Sequence, residues 1–151
     1  MLRSILIVLV WLALAASGPA QAERRVALVI GNGAYTNSPA LNNPANDAAV
    51  VAASLKALKF EVIRLINGNH RRMLDAMAAF GRAASGADVA LVFYAGHAVQ
   101  VSGRNWLLPV ASTISAETDL PAQAIRTSDI MEMMETSGAA LKLMILDACR
   151  N

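Results

Sequence analysis

Histidine and cysteine, two residue types that act together in thiol chemistry, are scarce in this chain of 151 residues. The sequence contains two histidines, His70 and His97, and a single cysteine, Cys149. Thiol nucleophilic catalysis requires a thiol, an imidazole within reach of its proton, and backbone amides that stabilise an oxyanion. The question is whether the fold brings a histidine and Cys149 together.

Four short apolar runs predict strands, at residues 26–30, 61–66, 89–94 and 141–146. Their near-continuous hydrophobicity is typical of strands covered on both faces. Helical spacing of apolar residues lies between them: one helix is expected from Asn46, a candidate N-cap, one over residues 70–80 and one over 128–136, with Gly138 as its stop signal. The alternation predicts an α/β fold with a mostly parallel sheet and helices on both faces. Residues 99–108, around a turn at 102–105, predict a small hairpin that leans out from the sheet.

The predicted topology places the histidine and the cysteine at one edge. His97 follows the third predicted strand and Cys149 follows the fourth. The loops at the carboxyl ends of parallel strands face the same edge of the sheet, where ligands collect. His97 and Cys149 are therefore the candidate catalytic pair, whereas His70, beside Arg71 and Arg72, is expected to be exposed.

The residues around this pair resemble motifs of the caspase, metacaspase and bacterial caspase-like family. Residues 94–98, Tyr-Ala-Gly-His-Ala, resemble its histidine motif, and residues 147–151, Asp-Ala-Cys-Arg-Asn, resemble its cysteine motif. Further similarity lies in residues 28–35, 46–48 and 103–109. The resemblance implies a caspase-like three-layer sandwich over residues 23–151. This is the large-subunit (p20) region, and the given sequence stops after the cysteine strand, where family domains continue into a small subunit.

The resemblance also implies a function. The expectation is a cysteine-type endopeptidase with a Cys149–His97 dyad and an oxyanion hole formed by the backbone amides of Ala98 and Cys149. Most family members have glycine at the position of Ala98; alanine keeps the N–H provided that the backbone needs no glycine-only conformation. Asp147 and Asp47 match acidic substrate-binding positions of basic-specific relatives, which implies cleavage after Arg or Lys. No cofactor is expected, although a need for calcium, as in some relatives, stays open, and the sequence shows no second His or Cys near either histidine that would suggest zinc.

The first 22 residues predict a secretory signal peptide. Arg3 precedes an uncharged apolar run, and Ala20-Gln21-Ala22 offers a small-x-small cleavage pattern. The run is shorter than the roughly 20 apolar residues that span a bilayer, so no stable membrane span is expected after cleavage, although an uncleaved anchor stays open as an alternative. Export would place the domain in the periplasm or outside the cell, where an unpaired Cys149 is a reactive thiol or an intermolecular link.

Charge and hydrophobicity indicate the partners. The formal net charge is +2 and the basic residues are scattered, which argues against nucleic acid. The expected partner is a peptide or protein substrate. If the strand over residues 141–146 has a free edge, Lys142 alone discourages pairing, so either a small-subunit segment or self-association is expected there.

Two other functions remain open at this point. The domain could be a caspase-like scaffold without turnover, since Ala98 departs from the family pattern. It could also be a flavodoxin-like module that binds phosphate or flavin at Gly31-Asn32-Gly33. A dinucleotide-binding motif is incomplete there, because Thr36 stands where the third glycine belongs.

Overall fold

The structure, a computed structural model, describes residues 23–148. The predicted signal peptide and Cys149 lie outside the described residues. The elements follow in this order: β1 (Arg25–Gly31), α1 (Pro44–Ala57), β2 (Phe60–Ile66), α2 (His70–Ala83), β3 (Val89–Ala95), β4 (Ala98–Val101), β5 (Arg104–Leu107), a 3₁₀ helix (Glu117–Asp119), α3 (Leu120–Gln123), β6 (Ile125–Arg126), α4 (Thr127–Thr136) and β7 (Leu141–Asp147).

The central sheet has four parallel strands in the order β2-β1-β3-β7. Every residue of β3 is buried, as is all of β1 except Arg25, which confirms that these apolar runs are strands covered on both faces. The same expectation was wrong for β2 and β7. These strands form the two edges of the described sheet, and five of the seven β7 residues are exposed.

Helices cover both faces of the sheet, which gives the predicted three-layer α/β architecture. α1 covers one face, where its small side chains pack on alternate residues of β1 and β3. α2 and α4 cover the other. There the buried residues from the two helices are Met73, Met77, Phe80, Ile130 and Met134. Alternate strand residues point to opposite faces, so β1 and β3 contribute to both cores.

α2 and α4 begin within one residue of the sequence prediction, whereas α1 begins earlier than predicted and α2 ends three residues later. α2 begins at His70 as expected, and the side chain of Asn69 caps it by accepting a hydrogen bond from the Arg72 N–H at 2.9 Å. α1 begins at Pro44 rather than after Asn46, which lies inside its first turn. Proline has no N–H to satisfy and a backbone φ suited to the first helical position, which explains the earlier start.

The predicted hairpin is present as β4 and β5. They pair in antiparallel register around Ser102 and Gly103, both of which have positive φ. β6 adds a third strand to this small sheet, and neither β6 nor the short helices before it had been predicted from the sequence. β4 starts three residues after β3 ends, so the hairpin grows out of the central sheet through Gly96 and His97.

Within residues 23–148, no helix has both the length and the apolar character needed to cross a membrane.

Candidate functional site

A cavity of about 400 Å³ opens at the carboxyl edge of the central sheet. It brings together three of the predicted site residues, namely His97, Asp147 and Asp47. The rest of its lining comes from the β3 end and the segment before α1: Leu41, Asn42, Asn43, Pro44, Ala95 and Gly96. Cys149 is outside the described residues, and its sequence position is two residues beyond Asp147.

The pairing of β3 with β7 sets the distance between the histidine and the end of β7. Ala95 and Asp147 are opposite each other in the parallel register. One residue further along, the Gly96 N–H donates a hydrogen bond to the Asp147 carbonyl oxygen at 3.2 Å. His97 therefore leaves the sheet directly beside the point from which the chain runs on to Cys149.

The imidazole of His97 is held by a backbone carbonyl. Its Nε2 lies 2.8 Å from the carbonyl oxygen of Pro39, in the loop between β1 and α1. Because a carbonyl oxygen can only accept, Nε2 carries the hydrogen and Nδ1 carries the lone pair in the neutral ring. The contact thus fixes a tautomer in which Nδ1 can accept a proton.

The loop that supplies Pro39 is itself fastened by backbone hydrogen bonds. The Leu41 N–H donates to the Gly33 carbonyl at 2.9 Å, and the Thr36 N–H donates to the Val110 carbonyl at 3.0 Å. The side chain of Asn37 adds a bond to Thr113 Oγ1 at 3.0 Å. These bonds on either side of Pro39 keep its carbonyl aimed at His97.

Two tyrosines, the only ones in the chain, surround the backbone of His97. The His97 N–H donates to the Tyr35 hydroxyl at 2.8 Å, and the Tyr94 hydroxyl lies 2.7 Å from the His97 carbonyl oxygen. The Tyr35 ring also packs against the imidazole, with 4.5 Å between ring centroids. Burial raises the pKa of Tyr35 above its usual value, and burial beside Tyr35 raises the pKa of Tyr94 well above it. Both hydroxyls therefore stay neutral around neutral pH.

Two acidic side chains line the cavity. Asp147 ends β7 and Asp47 lies in the first turn of α1, and both carboxylates line the same space as His97. No lysine or arginine is among the described residues that line it. Among the described lining residues these two like charges create a negative potential, which can attract a guanidinium or ammonium group.

Ala98 occupies an ordinary strand position. It is the first residue of β4 and is not among the described residues with positive φ. Glycine is instead needed one position before the histidine: an added Cβ on Gly96 would lie 2.6 Å from the Tyr35 hydroxyl and 2.7 Å from that of Tyr94. The alanine after the histidine therefore costs no backbone strain.

The Gly31-Asn32-Gly33 loop has few free amides for a phosphate. The N–H groups of Gly33 and Ala34 both donate to Asn67 Oδ1, at 2.9 and 3.0 Å. The Asn32 N–H donates to the Ala95 carbonyl, and those of Tyr35 and Thr36 also have backbone partners. A phosphate-binding loop instead leaves its amides free to point at the ligand. In the described part of the chain, no three His, Cys, Asp or Glu side chains gather as metal ligands.

Sequence reasoning missed the residues that hold His97 in place. The Pro39 contact is made by a backbone carbonyl, which every residue has, so no pattern of side chains in the sequence predicts it. Tyr94 lies inside an apolar strand, where an aromatic residue is expected in the core anyway. A hydroxyl at the buried end of a strand was the one available signal, because a buried hydroxyl requires a partner.

Comparison with known proteins connects this geometry to a family. The family model of the caspase domain, Peptidase C14, matches residues 24–151. The mucosa-associated lymphoid tissue lymphoma translocation protein 1 homolog of Mus musculus is 27% identical over 134 residues, which are 89% of this chain and 16% of that protein. The Homo sapiens protein of that name is 27% identical over 129 residues, 85% of this chain and 15% of its own length. The chain thus spans about one sixth of these relatives.

The buried tyrosines predict a stability that falls at high pH. An unfolded tyrosine ionises near about pH 10, whereas the raised pKa keeps the buried one neutral to higher pH. The contribution of a buried neutral tyrosine to the free energy of unfolding is therefore complete below about pH 10. It is lost as the pH rises through the folded-state pKa, with a slope approaching about 1.4 kcal/mol per pH unit for each tyrosine. The measurement is the difference in the free energy of urea unfolding between wild type and Tyr94→Phe as a function of pH. The titration of lysines contributes equally to both proteins and cancels in this difference. A difference that stays constant above about pH 10 would contradict the prediction.

Proposed function

Because the chain belongs to the caspase domain family, we propose that it is a cysteine-type endopeptidase in which Cys149 is the nucleophile and His97 its base. Membership of a protease family implies a protein or peptide substrate. The dyad and the preference for basic residues are parts of the proposal, and we expect little catalysis from this chain alone until a small-subunit segment is supplied.

The contact between the ends of β3 and β7 is the observation that carries the proposal. The Gly96 N–H bonds to the Asp147 carbonyl, so the residue before His97 is tied to a residue two positions before Cys149. Two residues of extended chain span at most about 7 Å, which limits how far the Cα of Cys149 can lie from that of Asp147. This limit supports the proposal that the thiol acts with the imidazole of His97, whose Nε2 is already engaged by Pro39.

The proposed reaction proceeds through an acyl-enzyme. Nδ1 of His97 takes the thiol proton, and Sγ of Cys149 attacks the carbonyl carbon of the scissile bond, forming a C–S bond. The carbonyl oxygen becomes an oxyanion that accepts hydrogen bonds from the backbone amides of Ala98 and Cys149. Collapse breaks the C–N bond while His97 returns the proton to the leaving amine. Water, deprotonated by His97, then releases the acid product and the free thiol.

We propose that the cavity binds Arg or Lys on the acyl side of the scissile bond. Asp147 and Asp47 supply two carboxylates to a lining of otherwise uncharged residues and His97. A guanidinium can form paired, charge-assisted hydrogen bonds with a carboxylate, and these bonds are stronger than neutral ones. The volume of about 400 Å³ leaves room for one long side chain beside the histidine.

The geometry bears differently on the two alternative functions, the flavodoxin-like module and the scaffold without turnover. A flavodoxin-like phosphate site is disfavoured, because Asn67 and backbone carbonyls already occupy the amides of the Gly31-Asn32-Gly33 loop. A scaffold without turnover loses one of its supports, since Ala98 needs no glycine-only conformation. Chemical reactivity of Cys149 separates the scaffold from the enzyme.

We also propose that residues 1–22 direct export, so that the domain works in the periplasm or outside the cell. In that setting Cys149, which has no second cysteine in this sequence to pair with, would be a catalytic thiol rather than a structural one.

The free edge of β7 is the proposed partner surface. Leu141, Leu143 and Ile145 lie on one face of the strand and are 49%, 40% and 48% exposed. Lys142, the one charge expected to discourage pairing, forms an ion pair with Glu135 at 2.9 Å. We propose that this edge accepts a further strand from a small-subunit segment, and that in the isolated chain it mediates self-association.

Replacement of the thiol tests the proposed reaction. Cys149→Ala is expected to lower cleavage of a fluorogenic Arg-peptide by about 10³-fold or more, because no other described side chain at the cavity is a thiol or hydroxyl nucleophile. Circular dichroism should show an unchanged fold. Iodoacetamide should modify Cys149 in the folded wild type. An unreactive thiol, or turnover by Cys149→Ala equal to that of wild type, would favour the scaffold.

Removing the charge of Asp147 tests the substrate preference. Asp147→Asn should raise the KM for an Arg-peptide about tenfold or more, while the rate of Cys149 alkylation changes less than about twofold. A pocket acid contributes to substrate binding, whereas alkylation depends on the thiolate itself. Asp75→Asn, which removes an exposed carboxylate paired with Arg71 on α2, is the matched control. Equal losses in binding and alkylation would mean that Asp147 supports the cysteine loop instead.

A charge on the exposed face of β7 tests the partner surface. Wild type is expected to sediment as an oligomer, and Ile145→Lys should shift it toward monomer, because the charge opposes burial of this apolar row. Leu58→Lys, at a residue 57% exposed next to α1, is the control and should leave association unchanged. A wild-type chain that is monomeric across the concentrations tested would sink this part of the proposal.

A further inference from the structure

The peptide groups on both sides of His97 are fixed by side-chain hydroxyls. The N–H of His97 donates to the Tyr35 hydroxyl at 2.8 Å. Its carbonyl oxygen lies 2.7 Å from the Tyr94 hydroxyl and also accepts from the Leu108 N–H at 3.0 Å. His97 lies in the connection between the central sheet and the small sheet, and these hydrogen bonds restrain the rotation of its two peptide groups.

The two hydroxyls act as a unit. Their oxygens are 3.2 Å apart, and the carbonyl of Leu108 lies 3.2 Å from Tyr35 and 3.0 Å from Tyr94. The two hydroxyl groups thus have two hydrogens to donate, and the available acceptors are the carbonyl oxygens of His97 and Leu108 and the other hydroxyl oxygen. The shortest contact, from Tyr94 to the His97 carbonyl, assigns the Tyr94 hydrogen to that oxygen. Tyr35 then accepts from His97 and donates toward Leu108 or Tyr94.

The carbonyl of His97 and the N–H of Ala98 belong to the same planar peptide group. In a trans peptide these two groups point in opposite directions, so fixing one fixes the other. Residues of an antiparallel ladder alternate between bonded and non-bonded pairs. Because Leu108 donates to His97, the neighbouring pair of Ala98 and Leu107 is a non-bonded one. The Ala98 N–H is therefore directed away from β5, toward the free edge of the small sheet.

We propose that Tyr35 and Tyr94 are positioning residues, a hydroxyl pair that sets the orientation of the His97–Ala98 peptide and so aims the Ala98 N–H at the oxyanion. The inference rests on the proposed peptidase function and adds to it two residues that are not among the described residues lining the cavity. Hydrogen bonds accepted by a peptide carbonyl also polarise the N–H of the same peptide, which strengthens it as a donor.

Gly96 provides a second, independent indication that the two tyrosine hydroxyls pack tightly against the backbone next to His97. A Cβ at this position would lie within 2.7 Å of both hydroxyl oxygens, a distance at which one or both rings would have to move. The hydroxyls thus pack directly against the backbone that precedes His97. Other residue types at this position would push the pair away from the peptide it holds.

Removing each hydroxyl while keeping its ring tests the proposal. In the full chain, Tyr94→Phe leaves the His97 carbonyl its bond from Leu108, and Tyr35→Phe leaves the ring contact with the imidazole. Tyr94→Phe should lower kcat for an Arg-peptide amide about tenfold or more and change KM less than about twofold, because the oxyanion develops only in the transition state. The inhibition constant of an Arg-peptide aldehyde, whose adduct with the thiol carries the same oxyanion, should rise by a similar factor.

Alkylation separates positioning from a general structural effect. The reaction of Cys149 with iodoacetamide displaces iodide and forms no oxyanion, so its rate and pH profile should stay within about twofold of wild type. A purely structural loss would lower alkylation and kcat together. Ser137→Ala is the control for loss of a hydroxyl: it removes a bond to the Met134 carbonyl at the end of α4, and kcat should not change.

The outcomes distinguish the inference from the function on which it rests. If wild type cleaves the substrate and both tyrosine variants, shown to be folded by circular dichroism, keep wild-type kcat and aldehyde inhibition, the inference is overturned and the peptidase stands. If wild type neither cleaves nor is trapped by the aldehyde, the proposed function falls, and the inference falls with it. If Tyr94→Phe does not fold, Tyr35→Phe decides the question by the same measurements.

Discussion

The side chain of Asn32 satisfies the buried polar backbone at the carboxyl edge of the sheet, and the rest of the site depends on it. Asn32 has no solvent exposure; its Oδ1 accepts from the Gly68 N–H at 2.8 Å, and its Nδ2 donates to the Leu108 carbonyl at 3.1 Å. One amide thus joins the end of β1, the turn before α2 and the segment after β5. Buried backbone groups left without partners would cost about 1–3 kcal/mol each, so this amide is hard to replace.

The same carbonyl of Leu108 connects Asn32 to the histidine. It lies within hydrogen-bonding distance of both tyrosine hydroxyls, and the N–H of Leu108 donates to His97. A path of hydrogen bonds therefore runs from the fully buried end of β1 to the residue proposed as base. Hydrogen-bonded networks in a low-dielectric interior are rigid when every member is satisfied. The backbone of His97 is consequently held by hydrogen bonds that lead back to the buried strands β1 and β3.

Close packing against β1 places the acidic side of the cavity. An added Cβ on Gly31 would lie 2.3 Å from the Pro44 carbonyl and 2.7 Å from the Ala48 Cβ, so the start of α1 sits directly on the end of the strand. That contact fixes the first turn of α1, which carries Asp47 toward the same cavity as His97. Glycine and alanine at these positions thus have a role in the site as well as in the core.

The sequence predicted the architecture well because its strongest signals are physical necessities of burial. The apolar runs of β1 and β3, the helix at His70 and the hairpin around Gly103 all follow from periodicity and turn chemistry. Parallel topology alone predicted that His97 and the end of the last strand lie at one edge, where the structure places Asp147, whereas the substrate-binding role of Asp147 came from the family resemblance. β6 and the short helices were not predicted, because elements of two to four residues are too short to show a period of hydrophobic residues. The groups that hold the imidazole were invisible for another reason: they act through backbone carbonyls and hydroxyls whose partners are distant in sequence.

The two halves of the proposed site differ in how firmly the fold holds them. The histidine half rests on β1 and β3, which are buried on both faces, and on the Asn32 and tyrosine hydrogen bonds. The thiol half extends from β7, which pairs only with β3 among the described strands and exposes four large apolar side chains. Strands with few buried contacts open locally at lower free-energy cost than core strands. A segment that covers the β7 edge would therefore stabilise β7 more than it stabilises β1 and β3. Under the proposed function, occupancy of that edge would stabilise the strand that leads to Cys149, so the edge of the sheet would be part of the site rather than a separate surface.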